Sequence, residues 1–501
     1  FWGVQNMVSD QGVVKVALAQ DWLIKIQESC GRFDPDLLRG AGVWRDGDDF
    51  IINDGRQIVT REGSRIPYGE YRTQYHYLSS DVQFDSMTGE SATKEEGFSL
   101  AELFAVQGFQ RKSHTIAVLG WCLISTFGGV LEWRPHIWIS GKKGTGKSWV
   151  LDNLVRAIAG RFAHNGTGKD SEAVLRRILR TDARSVILDE MESMDKRSAE
   201  SVTQKLTLAR NCSSDASALS SITAPDGGVM MFRTRACFCF SSIAVPDRGA
   251  AVESRILRTE LRWHTKEAMR AKREKSAELM RSCMRDPSRY RRRIFRALPR
   301  IIDDIEEIRK NGMLNDVGDL RDIDQWAPLL AACWALVSDE SITTEAGRLW
   351  VKENMEDIAK LKEEQVEDED RVIEHILAAT IETDDRTKRT VAEMLCRAGD
   401  PTLPTTDARD TLELLSRYGV KLVSHGNEKK LAVESRSDAI ARWLKDTPYA
   451  EGYDMMLKRH ALCSTPGECA TVRMGARQVR ARLFDWKMFK AQYLGEKEAG
   501  E

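Results

Sequence analysis

The sequence of 501 residues lacks several features that would assign a protein to a class at once. Its ten cysteines form no C-x-x-C pair and follow no regular spacing, which excludes a disulfide framework and indicates reduced, buried thiols. Neither sign of charge is in excess, because 75 Lys and Arg residues stand against 76 Asp and Glu residues. A nucleic acid would therefore have to be bound by local basic surfaces and not by an overall positive field.

The sequence also shows no signal peptide and no convincing transmembrane segment. Its long apolar stretch at 115–131 contains Gly120, Gly128 and Gly129 and leads directly into a β-prone run. This pattern favours a buried helix over a membrane span. We therefore expect no membrane partner and a location in the cytoplasm.

The length and composition indicate a soluble protein with more than one domain. A chain of 501 residues exceeds what one core usually organises, and 42% hydrophobic with 30% charged residues is typical of globular proteins. His460, Cys463 and Cys469 are three potential zinc ligands, but no fourth ligand accompanies them, so we do not expect a zinc site. The chain begins at Phe1 and not at Met, which suggests a fragment with further sequence upstream.

The most informative stretch is 137–148, where an apolar run passes into a glycine-rich turn and then into a helical pattern. This is the phosphate-loop motif G-x-x-x-x-G-K-[ST] in its expected strand–loop–helix context. Glycines allow positive φ angles and a close approach of the backbone to an anion, and the amides of the following helix face the phosphates. The sequence therefore predicts binding of ATP. The expected contacts are Gly141, Lys142, Lys143, Gly144, Thr145, Gly146, Lys147 and Ser148.

Two residues of this loop have specific roles in such sites. Lys147 is predicted to neutralise the β- and γ-phosphates, and the Ser148 hydroxyl is predicted to bind Mg²⁺. Downstream, the apolar run 185–188 ends in Asp189 and Glu190, which is the Walker B pattern. Asp189 is expected to hold Mg²⁺, and Glu190 to polarise the attacking water. The second acid favours a hydrolase over a small-molecule kinase, whose nucleophile comes from its substrate.

Two further catalytic residues follow from their places at strand ends. The apolar strand 236–240 is followed by Ser241 and Ser242, and we assign Ser242 as the polar residue that senses the γ-phosphate. Arg255 precedes the last strand of the core, where ring-forming ATPases carry an arginine that reaches a neighbouring subunit's γ-phosphate. Arg248 is the second choice for this role, and an ordinary surface arginine is the alternative.

Basic residues at several points are candidate nucleic-acid contacts. The segment 211–235 is predicted to form a hairpin inserted before strand 236–240, but its tip at 220–228 holds no Lys or Arg. Contact would then come from Arg233 and Arg235 at its base, or from Lys169 in another loop. A helical segment rich in arginine, 289–296, could bind phosphate, form a solvated face or contact another subunit. Arg321, before an apolar helix, is a weaker candidate for a second phosphate sensor.

The C-terminal part predicts a winged helix. Three helical patterns within 371–418 are followed by a β-hairpin over 421–433, whose turn region carries Lys429 and Lys430. Such a module binds DNA in some proteins and docks proteins in others, so the fold leaves both open. The basic wing favours DNA contact through Lys429 and Lys430.

Several of these motifs together resemble one family. The run 133–138, the GKKGTGKS loop, Leu188-Asp189-Glu190, the strand end 240–243 and the run 253–256 resemble the phage and prophage primase–helicases. These are related to superfamily 3 and poxvirus-type AAA+ replicative helicases. The resemblance is most specific over about 115–261.

The resemblance implies an α/β AAA+ P-loop ATPase core with an α+β N-terminal region, a helical collar and a C-terminal winged helix. It implies a homo-hexamer that uses ATP and Mg²⁺, draws single-stranded or forked DNA through its pore, and acts in the bacterial host cytoplasm, with a possible primase portion upstream. The predicted divisions are an N-terminal domain (1–97), a collar (98–133), the ATPase core (134–262), a helical region (263–370), a winged-helix domain (371–435) and a helical tail (436–501).

Three functions remain open at this point. The first is a replicative helicase that couples ATP hydrolysis to translocation. The second is an initiator or helicase loader that binds an origin without sustained unwinding. The third is a defence-type ATPase that acts on a protein partner.

Overall fold

The structure is a computed structural model. It describes residues 15–30, 34–82, 87, 89–192, 196–223, 229–243, 255–263, 265–310, 313–314, 320–363, 368–383, 386–399, 404–425, 428–445, 447, 449, 453–465, 467 and 469–495.

The N-terminal part is α+β, as predicted. A four-stranded antiparallel sheet in the order β2-β3-β4-β5 contains the expected strands around the Asp46–Asp49 turn. Gly47 in that turn has a φ of 63°, which suits a residue without a Cβ. The elements are α1 (Val16–Cys30), β1 (Leu38–Arg39), β2 (Gly42–Asp46), β3 (Asp49–Asn53), β4 (Ile58–Thr60), β5 (Arg65–Ile66) and β6 (His76–Tyr77).

Two helices follow, α2 (Lys94–Ala105) and α3 (Lys112–Ile124). Thr93 caps α2 and forms a capping box with Glu96, which satisfies amides that would otherwise lack partners at the helix start. Helix α3 is almost entirely buried, as the apolar stretch at 115–131 predicted. Among the helices that the structure describes, none is long and apolar enough to cross a membrane.

A five-stranded, wholly parallel sheet forms the centre, which confirms the predicted α/β core. Its order is β13-β7-β12-β9-β8. The three central strands, β7, β12 and β9, are largely apolar and buried because both faces of the sheet are covered there. The carboxyl ends of the strands therefore meet at one edge. The elements are β7 (His136–Ser140), α4 (Lys147–Val150, a π-helical Leu151–Val155 and Arg156–Ala159), β8 (Ala163–Thr167), α5 (Glu172–Leu179), β9 (Ser185–Asp189), α6 (Lys196–Cys212), β10 (Leu219–Thr223), β11 (Val229–Arg233), β12 (Cys237–Ser242) and β13 (Ile256–Glu260).

The predicted inserted hairpin is present as the antiparallel pair β10 and β11. It precedes β12, as the sequence indicated. Of its predicted tip at 220–228, residues 224–228 lie outside the described residues. The described residues of the segment 263–370 are mainly helical. Its helices are α7 (Lys266–Cys283), α8 (Ser288–Lys310), α9 (Leu320–Val337) and α10 (Glu345–Glu363).

The arginine-rich helix α8 is a structural element and not a solvated or phosphate-binding face. Arg293 donates through Nε to the carbonyl oxygens of Ala335 and Leu336, each at 2.9 Å, and so caps the end of α9. Arg291 is 1% exposed and donates to the carbonyl of Ile158 at the end of α4. The cluster therefore connects α8 to neighbouring helix ends and, through Arg292 and Arg296, to the carbonyls of Glu90 and Gly89. Its members are Arg289, Arg291, Arg292, Arg293 and Arg296.

The C-terminal part has the predicted three helices and hairpin, but the prediction of a helical tail over 436–501 was wrong. Strand β19 of the tail pairs with β17 of the hairpin, which makes a four-stranded sheet in the order β16-β17-β19-β18. The elements are α11 (Asp368–Ala378), β14 (Thr380–Glu382), β15 (Lys388–Thr390), α12 (Val391–Gly399), α13 (Thr405–Arg417), β16 (Val420–His425), β17 (Glu428–Glu434), α14 (Asp438–Trp443), α15 (Tyr453–Arg459), β18 (Ala470–Met474), β19 (Arg477–Asp485) and α16 (Trp486–Tyr493).

Packing joins most of the segments that the sequence divided. One hydrophobic cluster extends from Val43 to Ile358, so the predicted divisions at 97/98, 133/134 and 262/263 all fall within it. A second cluster extends from Val372 to Phe489 and contains the predicted division at 435/436. The division near 370, by contrast, separates the two clusters.

Candidate active site

The phosphate loop connects β7 to α4, and the predicted strand–loop–helix arrangement is confirmed. Gly144 and Gly146 have φ angles of 91° and 93°, in the left-handed region that side chains with a Cβ rarely adopt. Gly146 is also the N-cap residue of α4, and its carbonyl accepts from the amide of Val150 at 3.0 Å. The loop therefore turns sharply and presents the first amides of α4 at the edge where the strands end.

The other loop residues divide into exposed and buried ones. Lys142, Lys143 and Ser148 are exposed, and so is Gly144. Thr145 is 1% exposed, and a Cβ on Gly141 would lie 2.7 Å from its Oγ1, so these two residues pack against each other. This contact explains a requirement for glycine at the first position of the loop.

Lys147 is held between two neighbouring strands. Its Nζ donates to Ser241 Oγ at 3.0 Å and lies 3.4 Å from Asp189 Oδ1. These partners stand at the ends of β12 and β9. An ammonium group has three N–H donors, so two such contacts leave one donor for a further acceptor. The edge of the sheet thus gathers a lysine, a carboxylate and a hydroxyl around one point.

The Asp189 carboxyl is kept ionised by its surroundings. Burial works to raise its pKa, but hydrogen bonds from Ser241 and the Glu190 amide, together with the charge of Lys147, hold the pKa below its usual value. The Glu190 amide donates to Asp189 Oδ1 at 2.9 Å. A carboxylate in this state is a suitable ligand for a divalent cation.

Glu190 lies on a sharply turned backbone. Its φ is 59°, which is uncommon for a residue other than glycine and is found more often at functional sites. Gly168 packs so tightly here that a Cβ on it would lie 2.2 Å from the Glu190 carbonyl oxygen. The Glu190 side chain is exposed at the sheet edge. This position suits a base that acts on water beside a bound phosphate.

The structure places Ser241, and not the predicted Ser242, beside Lys147. Neighbouring residues of a strand point to opposite faces, and Ser242 Oγ instead accepts from Trp138 Nε1 at 2.7 Å inside the core. Both serines are fully buried. We therefore replace Ser242 by Ser241 in the candidate site.

Arg255 lies at the opposite edge of the sheet from its own phosphate loop. It precedes β13, which runs parallel to β7 from Ile256 to Glu260. A strand rises about 3.3 Å per residue, so about 16 Å separate Arg255 from the edge that holds Lys147. Burial and the charges of Arg321 and Arg210 lower the pKa of Arg255. Arg255 therefore cannot act on a phosphate bound in its own subunit. Arg248, the second choice, lies outside the described residues.

One basic residue near the loop was missed from the sequence. Lys272 on α7 donates through Nζ to the carbonyl of Gln107 at 2.5 Å and to that of Thr145 at 3.5 Å. Its Nζ is 3.6 Å from the position that a Cβ on Gly146 would take. Burial, and to a smaller extent Arg273, lower its pKa. No motif marks this lysine, because it is one of several basic residues on α7.

The arginines at the base of the hairpin are engaged within the chain. Arg233 forms two bonds to the Asp36 carboxylate, at 2.6 and 2.8 Å. Arg235 binds the carboxylate of Asp215, which also accepts from the fully buried Arg134 at 2.8 Å. Binding of DNA phosphate by either predicted residue would require an ion pair to break.

The remaining predicted nucleic-acid contacts differ from one another. Lys169 and Lys429 are exposed. Lys430 is 9% exposed and is neutralised by Glu428 at 2.6 Å and Asp485 at 3.2 Å. The wing therefore presents less positive charge than its sequence indicated.

The three potential zinc ligands His460, Cys463 and Cys469 are not gathered into a metal-binding cluster among the described residues. His460 Nδ1 accepts from the amide of Leu462 at 3.0 Å, and its Nε2 lies 3.2 Å from Asp370 and 2.6 Å from the Tyr493 hydroxyl. Both ring nitrogens thus have protein partners. Within the described part of the chain, no cluster of metal-binding side chains occurs.

The donor set at the sheet edge fits Mg²⁺. Hard cations prefer oxygen ligands, and Mg²⁺ in phosphate sites commonly uses one or two protein oxygens together with phosphate and water. The ionised Asp189 and the exposed Ser148 hydroxyl, at the start of α4, are oxygen donors of this kind. These two oxygen donors, together with phosphate and water oxygens, would be sufficient ligands for Mg²⁺.

Comparisons with known proteins give no family assignment. No protein-family model and no curated protein matches the chain. Among solved structures, "The A form apo structure of NrS-1 C terminal region-CTR" is 13% identical, covers 74% of this chain and 98% of its own, and has a TM-score of 0.27. A second structure of that region is 11% identical, covers 92% of this chain and 98% of its own, and has a TM-score of 0.33. At such low TM-scores the likeness carries no argument about function.

Proposed function

We propose that the chain hydrolyses ATP with Mg²⁺ at the edge of its central sheet. The observation that carries this proposal is the position of the Lys147 ammonium, 3.0 Å from Ser241 and 3.4 Å from Asp189, beneath a loop with two glycines at positive φ. A lysine, a glycine-lined anion cradle and an ionised carboxylate are the parts that phosphoryl transfer requires.

Each residue has a role that follows from its place. The amides at the start of α4 and the Lys147 ammonium would bind the β- and γ-phosphates. Ser148 and Asp189 would hold Mg²⁺, which when bound spreads the charge that develops on the phosphates. Glu190 would orient and deprotonate the attacking water. Ser241 would hold the side chains of Lys147 and Asp189 in position. Lys272 would add a second cation beside the loop.

We further propose that hydrolysis occurs between subunits of a ring, in the manner of AAA+ enzymes. Arg255 cannot reach its own site, but a neighbouring subunit's site would be open to it if the two sheet edges met. An arginine that acts in this way stabilises charge in the transition state and raises the rate by about 10³–10⁵-fold. The resemblance in the sequence motifs favours a homo-hexamer.

For the substrate of this motor, we propose single-stranded or forked DNA, so that the chain acts as a replicative helicase of a phage or mobile element. The inserted hairpin β10–β11 and the C-terminal helices and sheet support this proposal, together with the sequence resemblance. An initiator or helicase loader is the second candidate, because the same parts would bind DNA without sustained unwinding.

A forked-DNA unwinding assay with ATP tests the proposal on the wild type and on Lys147→Ala. Strand displacement that is lost in the variant supports a helicase. DNA-stimulated hydrolysis without displacement favours an initiator or loader. Hydrolysis that is indifferent to DNA would refute both and favour a protein partner.

A further inference from the structure

The second hairpin of the C-terminal sheet, β18–β19, is strongly basic. Residues 469–484 contain four arginines and no acidic residue. Sequence reasoning treated this stretch as part of a helix. In the structure it is a two-stranded antiparallel ribbon that turns at Gly475 and Ala476, and Gly475 has a φ of 58°.

The register places two of these arginines on one face of the ribbon. Arg473 stands opposite Gln478, and Arg480 stands opposite Thr471. Cross-strand partners share a face, as do residues two apart on one strand, so all four side chains lie together. Each of the four is exposed. Arginine beside neutral hydrogen-bond donors is the usual composition of a phosphate-contacting surface.

The acids near the ribbon are engaged by other arginines. Asp454 binds the nearly buried Arg482 through both carboxylate oxygens, at 2.8 and 2.9 Å. Glu434 is buried and lies 3.8 Å from Arg477, whose side chain is 64% exposed. In the described part of the chain, no carboxylate lies within salt-bridge distance of Arg473 or Arg480.

A cavity of about 660 Å³ lies beside the ribbon. Its lining includes the exposed Arg436, Arg477 and Arg480 together with the carboxyl groups of Glu434 and Asp454. Arg436 also has no acid within salt-bridge distance among the described residues. Among the described residues, Arg436 and Arg480 on the cavity and Arg473 near the turn of the ribbon therefore have no acidic partner.

We propose that the β18–β19 ribbon binds the phosphate backbone of DNA, with Arg473 and Arg480 as the main contacts. A two-stranded ribbon has the width that enters a major groove, and it can equally lie along a single strand. The surface differs from the predicted wing, where Lys430 is neutralised by two acids. It lies far in sequence from the candidate ATP site, and its buried residues Val472, Met474, Ala481 and Leu483 form a small hydrophobic cluster with Ala432.

The identity of the polyanion rests on the proposed function, but the test does not require ATP. Binding of a fluorescent oligodeoxynucleotide to the full chain is measured by anisotropy, without nucleotide, for single-stranded and duplex forms. The variant is Arg473→Ala/Arg480→Ala. The matched control is Arg270→Ala/Arg281→Ala, which removes the same charge from exposed positions on α7.

Counterion release sets the expected effect. Loss of two phosphate contacts should lower the slope of log affinity against log salt by about 1.4 for a single strand and about 1.8 for a duplex. At about 0.1 M salt this corresponds to about 25-fold weaker binding of a single strand. The control should bind like the wild type, and Arg473→Lys/Arg480→Lys should retain most of the affinity.

If the Ala variant binds both DNA forms with the affinity and the salt dependence of the wild type, the proposal is overturned. An acidic protein surface would then be the better partner. An equal loss in the α7 control would also overturn it, because the effect would then come from net charge. If the ribbon binds DNA but Lys147→Ala leaves ATP hydrolysis unchanged, the proposed function fails and this inference stands.

Discussion

The pair Ser241 and Ser242 allows the candidate site to be tested with two substitutions that look alike in sequence. Ser241→Ala removes the acceptor that lies 3.0 Å from Lys147 Nζ and a hydrogen bond that helps to ionise Asp189. Ser242→Ala removes the acceptor of Trp138 Nε1, at 2.7 Å. The first change should therefore affect catalysis, and the second should affect stability.

The magnitudes follow from the kind of bond that is lost. A hydrogen bond to a charged group contributes about 1.5–3 kcal/mol, so Ser241→Ala should lower kcat by about 10- to 100-fold. Trp138 is 2% exposed, and its N–H would be left without a partner by Ser242→Ala. An unsatisfied buried donor costs about 1–3 kcal/mol, which should appear as a lower Tm with kcat changed less than about threefold.

Steady-state ATP hydrolysis and thermal unfolding are measured for both variants beside the wild type. The assignment predicts that the two readouts separate, with kcat falling in one variant and Tm in the other. If Ser242→Ala lowers kcat at least as much as Ser241→Ala, the assignment of Ser241 is refuted and the prediction from sequence is restored.

Three other predictions follow from single contacts. Glu190→Gln should still bind ATP but lose turnover, as measured by nucleotide titration and phosphate release; hydrolysis at the wild-type rate would remove Glu190 from its role. Lys272→Ala should weaken the binding of a fluorescent nucleotide about tenfold, since a charged hydrogen bond is lost, and unchanged affinity would show that Lys272 only supports the fold. Asp215→Asn should destabilise the chain by about 1–2 kcal/mol in urea, because it removes the charged partner of the fully buried Arg134 but that partner is itself 50% exposed. Asp36→Asn, at a pair in which both side chains are partly exposed, should cost less than about 1 kcal/mol. Burial works to raise the pKa of Asp215, but Arg134 and its neighbours lower it overall. The stability that ionised Asp215 contributes is therefore present above the unfolded-state pKa of about 3.9 and is lost as pH falls through the folded value. Asp215→Asn should therefore make the free energy of unfolding depend less on pH at the acid side. An unchanged pH dependence would contradict this.

The phosphate loop and the central strands could be predicted because their signals are local. Gly144 and Gly146 are needed wherever the backbone takes a positive φ, and this need is visible in the motif itself. The strands around Ile137 and Ile187 are apolar on both faces because helices cover the sheet on both sides. Such runs predict a buried parallel strand without knowledge of the rest of the chain.

The choice between Ser241 and Ser242 could not be made in the same way. Both faces of β12 are buried, so no alternation of polar and apolar residues shows which face looks toward the phosphate loop. The register of β12 against β7 and β9 settles the matter, and it depends on tertiary pairing. The sequence of a strand that is apolar on both faces does not show which face points toward the loop.

The roles of the basic residues could not be predicted from the sequence for a different reason. Arg293 binds carbonyl groups at Ala335 and Leu336, more than forty residues away, so its role cannot be read from a charge run. In β19, however, a signal was present. Val479, Ala481 and Leu483 alternate with arginines, which is the period of a strand, and the high charge concealed it.

The account depends most on the claim that two subunits share one site, and mixing two inactive variants tests it directly. Lys147→Ala lacks the lysine that we propose binds phosphate, and Arg255→Ala lacks the arginine at the far edge of the sheet. Each alone should hydrolyse ATP poorly. In a mixture, an intact site forms wherever Lys147 of one subunit meets Arg255 of the next, so hydrolysis should recover in part. A mixture no more active than its components, in a protein shown to assemble with ATP and DNA, would contradict the account.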